Sequence, residues 1–313
     1  MQKQLHKDEI LISTDLVRNL IDSQFPDYAY LPLVSLTASG SSNVQYRLGD
    51  DLLVRLPRLE GGSRSIEKEY RWTSKIGIKL PVSVPEIVAL GEPALGYSES
   101  WSILHWLPGE LPEVCSSDNS SDQEQTQLAT DFAALVRAFR DINVPGNVMS
   151  DKQFDNYRGR PLKQYDRHMR RNLQRCKSLA NLDLDIEAAS AIWQNALTLP
   201  EATEVQHWYH GDLVAENLLV NNGQLTGVLD FGGLGIGDSA IDLHGAWELF
   251  DAPARQTFRT LCGVDDNEWY RGRAWALAVA FMTFDYYWTT MPDRIRDRLA
   301  MAHSVLADVD ELP

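Results

Sequence analysis

A chain of 313 residues, 44% hydrophobic and 23% charged, is long enough and apolar enough for a sizeable core and for two domains. Its formal net charge of −15 argues against nucleic acid as a partner, because phosphate backbones require clustered Lys and Arg. An acidic chain is compatible with a cationic small molecule, although many soluble proteins are acidic without any such partner. Cys115, Cys176 and Cys262 are far apart and form no Cys-x-x-Cys pair, which argues against a disulfide framework or zinc site and suits a reducing cytoplasm. The first residues contain no apolar stretch of signal-peptide length, and the apolar run at 274–284 is too short to span a bilayer. The expectation is a cytoplasmic protein without membrane contact.

Leu16, Val17, Leu20 and Ile21 share one helical face, which predicts a helix over 14–24 capped by Ser13 or Thr14. Strands are expected over 33–37, 44–48 and 52–56. Gly49-Asp50-Asp51 joins the last two as a hairpin. A small-residue loop separates the first two. Ile66, Tyr70 and Thr73 predict a helix over 64–76, and strands over 87–90 and 101–106 complete an antiparallel sheet. Leu107-Pro108-Gly109 breaks the pattern and is the expected hinge, dividing 1–106 from 107–313. Residues 115–121 read as a polar surface loop. Ser121 and Glu124 form a capping box that opens a helix whose apolar face is Leu128, Phe132, Leu135, Val136 and Phe139. The rest reads as mostly helical, with helices over 238–250, 252–262, 266–289 and 292–309. The exception is a strand–loop–strand region over 205–230. The fold class expected is α+β, a small sheet-rich N-terminal lobe and a larger, mostly helical C-terminal lobe.

The chemistry is concentrated between residues 210 and 232. His210-Gly211-Asp212-Leu213-Val214-Ala215-Glu216-Asn217 is followed by Leu218-Leu219-Val220, a turn, and then Asp230-Phe231-Gly232. Moving a phosphoryl group from ATP requires a carboxylate to orient the attacking hydroxyl and oxygen ligands to hold Mg²⁺ against the phosphates. Asp212, Asn217 and Asp230 supply that set. Asp212 alone would read as a turn aspartate and Asn217 alone as unremarkable. The apolar flank of Asn217 predicts a buried strand that fixes its side chain.

The segments Ser39-Gly40-Ser41-Ser42-Asn43, Leu53-Val54-Arg55, Trp106-Leu107-Pro108-Gly109-Glu110, the 210–217 motif and residues 229–243 resemble the aminoglycoside phosphotransferase family. The resemblance runs over roughly 30–300 and is most specific at 210–243. It implies a two-lobed protein-kinase-like fold, with a nucleotide-binding lobe over 1–106 and a lobe over 107–313 that carries the catalytic loop, metal site and acceptor site. It implies ATP, with GTP not excluded, and Mg²⁺ as cofactors. The acceptor would be a small hydroxylated molecule, cationic in some members, such as an aminoglycoside or macrolide antibiotic. Amino alcohols, choline-like compounds, sugars and ketosamines fall within the same resemblance. The protein would be a monomer or homodimer.

By the same resemblance Asp212 is the catalytic base, Asn217 and Asp230 hold Mg²⁺, and His210 and Asp242 support the loop. Ser39, Gly40, Ser41 and Ser42 would lie over the nucleotide phosphates, where small residues let backbone N–H groups approach an anion. Leu53 would cover the base and Arg55 reach the phosphates in place of the usual lysine, with Glu69 as its partner and Glu67, Arg58 and Lys68 as rivals. His105 and Leu107 would offer backbone groups to adenine. Glu248, Asp251 and Asp285 are the candidate acids of the acceptor site, beside Trp247, Tyr286, Tyr287 and Trp288, although aromatics at helical spacing more often form core. Gly211 stands where regulated protein kinases carry an arginine, and no Ala-Pro-Glu segment follows Asp230, which weighs against a protein kinase. A nucleotide-binding pseudokinase is disfavoured because Asp212, Asn217 and Asp230 are all present.

Overall fold

The computed structural model describes residues 5–36, 40–114, 121–202 and 206–308. Ser39 and residues 115–120 of the loop expected over 115–121 lie outside these. The chain divides into two compact units, one of residues 1–78 and 83–108, the other of residues 79–82 and 109–313.

In the first unit, helix α1 (Thr14–Gln24) begins where the Ser13 hydroxyl accepts the Leu16 N–H at 3.1 Å. Five strands follow: β1 (Leu33–Ser35), β2 (Asn43–Leu48), β3 (Leu52–Pro57), β4 (Ile87–Gly91) and β5 (Trp101–His105). They form one antiparallel sheet in the order β1-β2-β3-β5-β4. Strand β1 stops at Ser35, short of the 33–37 expected. Gly49, at φ +60°, makes the β2–β3 turn. Alternation puts Val44, Tyr46, Leu48, Leu52, Val54 and Leu56 in one core with Val17, Leu20 and Ile21 of α1. Fully burying side chains of this size stabilises by about 1.5–3 kcal/mol each, so this core holds sheet and helix together. Helix α2 (Ser63–Gly77) has no side-chain cap of its own; the Glu99 carboxylate instead accepts the N–H of Gly61 at 3.0 Å and of Ser63 at 2.8 Å.

The second unit opens with α3 (Asp122–Asp141), which carries the expected capping box of Ser121 and Glu124. Then come α4 (Gly146–Met149), α5 (Leu162–Cys176) and α6 (Ile186–Ala196), none of which was delineated from sequence. The strands β6 (His207–Tyr209), β7 (Leu218–Asn221), β8 (Gln224–Val228) and β9 (Gly235–Gly237) pair antiparallel as β6 with β9 and β7 with β8. The helix expected over 238–250 is instead a 3₁₀ turn, Ser239–Leu243, and a single-turn helix α7 (Ala246–Leu249). Gly245 lies between them at a close backbone approach: a Cβ there would sit 2.2 Å from the Leu213 carbonyl oxygen. Helices α8 (Ala252–Cys262), α9 (Asp266–Tyr287) and α10 (Pro292–Ala307) complete the unit. Every residue from 273 to 281 of α9 is buried, as in a helix apolar on all sides. No helix among the described residues is long and apolar enough to cross a membrane. A five-stranded antiparallel unit followed by a mostly helical one is the α+β class expected.

Candidate active site

Strand β6 delivers the chain into the loop 210–217, and Asp242 anchors that loop. Its Oδ2 accepts the His210 N–H and its Oδ1 the Gly211 N–H, each at 2.7 Å. Burial pushes the Asp242 carboxyl up to about 7 against the pull of those two N–H groups, which favour the ionised form. Gly272 of α9 lets the Ser239–Leu243 turn pack close, since a Cβ there would lie 2.6 Å from Leu243 Cβ. Gly211 has a physical reason to be glycine: its φ is +84° and a Cβ would meet the Gly233 carbonyl oxygen at 2.8 Å.

His210 is fully buried. Its Nε2 bonds the Leu229 carbonyl at 2.9 Å, and its Nδ1 accepts the Asp212 N–H at 3.3 Å. That pattern requires a neutral ring with the proton on Nε2. Burial, which penalises the charged ring, holds its pKa down to about 4. The ring meets Phe231 edge-on at 5.1 Å and Phe139 at 5.9 Å, so the histidine braces the loop against the Asp230-Phe231-Gly232 turn.

Asp212 accepts Arg158 Nη1 on Oδ1 at 2.6 Å and Asn217 Nδ2 on Oδ2 at 3.1 Å. Asn217 Nδ2 also reaches the Asp212 carbonyl at 2.9 Å. The amide nitrogen is thereby committed, and no described residue donates to the Asn217 amide oxygen. Burial alone would raise the Asp212 pKa, but the Arg158 guanidinium overrides it and holds the carboxyl well below the usual range.

Strands β7 and β8 bring Asn217 and Asp230 to one end of a hairpin. Leu218 pairs with Val228, and the Leu229 N–H donates to the Asn217 carbonyl at 2.8 Å. Asp230 is left-handed, at φ +57°, and its Oδ1 accepts the Gly232 N–H at 3.2 Å to cap the turn Phe231–Gly233. Aspartate tolerates this backbone because its short carboxylate bonds locally. Such conformations cost about 1–3 kcal/mol and gather at functional sites.

Arg158 was not anticipated from sequence. It lies in the 3₁₀ turn Tyr157–Gly159, opened by Asn156 Oδ1 accepting the Arg158 N–H at 3.2 Å. Besides Asp212, Nη1 donates to the Gly211 carbonyl, and Nε donates to the Tyr157 hydroxyl at 3.0 Å. The Tyr157 ring stacks on Tyr165 at 5.3 Å and 17°. Gly159 and Gly237 let this turn seat against β9: a Cβ on Gly237 would lie 2.3 Å from the Gly159 carbonyl oxygen. The only sequence signal was a pair of glycines 78 residues apart, which no local pattern connects.

Each candidate acceptor acid has a partner in the structure. Glu248 has no exposed surface; its Oε2 accepts the Ala215 N–H at 2.9 Å and its Oε1 pairs with Arg298, so it braces the loop from behind. Burial raises its pKa to about 6. Asp251 is the N-cap of α8, accepting the Ala254 N–H at 2.8 Å. Asp285 is paired with Arg175 at 2.9 Å. Trp247 is core, 4.6 Å from Trp269 with its Nε1 donating to Asp308. Tyr286 is exposed, Tyr287 has the Arg294 guanidinium 5.4 Å from its ring, and Trp288 packs edge-on against Phe284. Glu216, next to Asn217, is gripped by Arg294 at 2.6 Å and Arg298 at 2.9 Å.

In the first unit, Arg55 Nη1 donates to Glu69 Oε2 at 2.7 Å, and both side chains are buried. Leu53 is half-buried, two residues along the same strand face. The rival Glu67 bonds Ser100, and Arg58 bonds the Gly40 carbonyl and Glu9. Gly40, Ser41 and Ser42 lead into β2, with the Ser41 carbonyl on His6 and the Ser42 carbonyl on the Arg58 N–H. The His105 N–H is committed to the Glu86 carbonyl at 2.8 Å and the Trp106 N–H to Asp51. Of the backbone groups expected to serve adenine, the His105 N–H is thus engaged within the unit, while the Leu107 N–H has no partner among the described residues.

Residues 34–275 match the model of the phosphotransferase enzyme family, and the chain belongs to that family. Solved structures share its fold. The GDP and kanamycin complex of APH(2")-IIia is 20% identical, with 93% of this chain and 97% of that one covered at a TM-score of 0.68. ADP-bound aminoglycoside phosphotransferase APH(2'')-Ib is 17% identical, with 94% and 98% covered at 0.63. The apoenzyme of macrolide 2'-phosphotransferase MphH from Brachybacterium faecium is 17% identical, with 93% and 97% covered at 0.58. At these identities the likeness is one of fold. No curated protein matches the chain.

Proposed function

We propose that the protein moves the γ-phosphoryl group of ATP or GTP, bound with Mg²⁺, to a hydroxyl of a small molecule. The observation that carries this reading is the grip on Asp212: Arg158 and the Asn217 amide nitrogen orient the carboxylate and leave the Asn217 amide oxygen without a partner among the described residues. A carboxylate offers about four lone-pair sites, so two donors leave room for an acceptor hydroxyl. Asp212, ionised and weakly basic, orients that hydroxyl and takes its proton late, as the bond to phosphorus forms. His210 stays neutral and hydrogen-bonded on both nitrogens, and has no part in proton transfer.

The donor set fits Mg²⁺. The described residues contain no group of three or more His, Cys, Asp or Glu suited to a metal. Magnesium keeps waters and phosphate oxygens, so one amide oxygen from Asn217 and one carboxylate from Asp230 suffice. When bound, the ion neutralises charge developing on the phosphates. We assign nucleotide binding to residues 1–106, with Arg55, oriented by Glu69, toward the phosphates, and Gly40, Ser41 and Ser42 beside them. Leu53 and the Leu107 N–H serve the base. Residues 107–313 hold the loop, the metal and the acceptor. One relative binds GDP and kanamycin and another is a macrolide phosphotransferase, which supports a nucleotide donor and a small acceptor. The described cysteines, Cys176 and Cys262, are free thiols, which supports a reducing cytoplasm as the setting.

The test is ADP or GDP release by the purified chain with and without Mg²⁺, against Asp212→Asn. Turnover should require Mg²⁺ and fall by about 10²–10⁴-fold in the variant. Equal rates in the two proteins would defeat the reading.

A further inference from the structure

The acids around the 210–217 loop do not form an open negative surface. Asp212 is paired with Arg158, Glu216 with Arg294 and Arg298, Glu248 with Arg298, and Asp285 with Arg175. Among the described residues these four carboxylates meet four guanidinium groups, and of the other acids at the loop Asp242 is held on the His210 and Gly211 N–H groups and Asp230 on the Gly232 N–H, so the acids are partnered although the whole chain carries −15. A polycationic acceptor needs unpaired acids facing it, and the acids here are committed.

Arg158 is also built to present a donor. Its Nε is tied to the Tyr157 hydroxyl at 3.0 Å and its Nη1 to Asp212 at 2.6 Å. The Tyr157 ring is fixed on Tyr165, which itself packs at 5.4 Å from Trp275. The remaining amino group, Nη2, makes no hydrogen bond to any described residue. It is not among the polar atoms sealed from solvent, and the side chain is 15% exposed. A rigid guanidinium with one amino group left over, beside the carboxylate that would orient the reacting hydroxyl, suits an oxygen on the neighbouring carbon of the acceptor. An ammonium group in that place would face a like charge.

We propose that Arg158 selects the acceptor: its Nη2 takes an oxygen adjacent to the reacting hydroxyl, so the substrate is a neutral or anionic polyol, such as a sugar or sugar acid, and not a polyamine. This rests on Asp212 being the base. Glu216, Arg294 and Arg298 complete the balanced surroundings and add no site for a second ammonium group.

The experiment measures nucleotide diphosphate release by the full chain with Mg²⁺ and four acceptors: glucose, glucuronate, glucosamine and kanamycin. Glucose and glucuronate should exceed glucosamine and kanamycin in kcat/KM by about tenfold or more, the scale of a charge-assisted hydrogen bond. Arg158→Ala should raise KM for the two oxygen-bearing acceptors about 10- to 100-fold and erase the preference. Arg158→Lys should keep part of it, and Tyr157→Phe, which removes only the hydroxyl holding Nε, should weaken it less. The ratio between acceptors within one variant is independent of how much of that variant folds. Preference for kanamycin, an unchanged ratio in Arg158→Ala and Arg158→Lys, or no turnover with any of the four would each overturn the inference. Mg²⁺-dependent nucleotide hydrolysis lost in Asp212→Asn would still uphold the base assignment in any of those cases. Loss of that distinction, with Asp212→Asn equal to the natural chain, would defeat both.

Discussion

The guanidinium of Arg158 and the carboxylate of Asp212 lie 2.6 Å apart although 54 residues separate them in sequence. Asn217 bonds the other carboxylate oxygen from five residues away. One grip is local and the other tertiary, and together they fix the carboxylate in one orientation. Preorganisation of this kind lets a weak base contribute to phosphoryl transfer, which depends on positioning more than on proton affinity.

The Asn217 amide oxygen is the open donor of the proposed metal pair. Asn217→Ala removes that oxygen and also frees one side of Asp212. Its Mg²⁺ requirement should shift upward by about tenfold or more, as for loss of one oxygen ligand, while unfolding temperature changes little. A Mg²⁺ titration of nucleotide turnover checks this, and an unchanged midpoint would remove Asn217 from the metal.

Arg55 and Glu69 form a buried pair. Glu69→Gln leaves the guanidinium without its counter-charge, and breaking a buried pair on one side destabilises by about 3–5 kcal/mol. Arg55→Lys keeps the charge but loses the fork. The nucleotide KM should rise in Arg55→Lys by less than about tenfold, and more in Arg55→Ala. A larger effect in Arg55→Lys than in Arg55→Ala would refute a phosphate-facing role.

His210 and His244 are fully buried, and burial holds each pKa down to about 4 from an ordinary 6.5. Between those values the unfolded chain binds protons that the folded chain does not. The stability these two histidines contribute is therefore full above about pH 6.5 and is lost as pH falls toward 4. The loss amounts to at most about 3 kcal/mol per histidine. Asp242 and Glu248, raised by burial to about 7 and about 6, act in the opposite sense, so thermal unfolding from pH 7.5 to 4.5 should fall less steeply in His244→Gln than in the natural chain, and equal slopes would contradict neutral burial of His244.

Glu248 and Arg298 tie α7 and α10 to the loop through Ala215 and Glu216. Arg298→Met strands a fully buried carboxylate and should destabilise by about 3–5 kcal/mol. Adding Glu248→Gln should recover part of that. Urea unfolding of the single and double variants measures the coupling, and additive losses would argue against it.

Much of the architecture was legible because it rests on local patterns. The Ser13 cap, the Ser121 and Glu124 capping box, the Gly49 hairpin and the alternation in β2 and β3 are each encoded within a few residues. The misread segment at 238–250 shows the limit. Its apolar spacing suits a helix, but a Cβ on Gly245 would sit 2.2 Å from the Leu213 carbonyl oxygen, a constraint imposed by the 210–217 loop earlier in the chain.

The same division runs through the candidate site. Asp212, Asn217 and Asp230 stand out in the sequence because one loop and one hairpin carry them, within 19 residues. What surrounds them was settled only by packing. Arg158 reaches Asp212 from a turn seated on β9, Arg294 and Arg298 reach Glu216 from α10, and Glu248 is turned inward to Ala215. Charge partners set by helix packing leave no periodic trace in sequence, because any arginine on a neighbouring helix face satisfies the same local pattern. Reactive residues declare themselves by spacing; the electrostatic setting in which they work is decided by the tertiary fold.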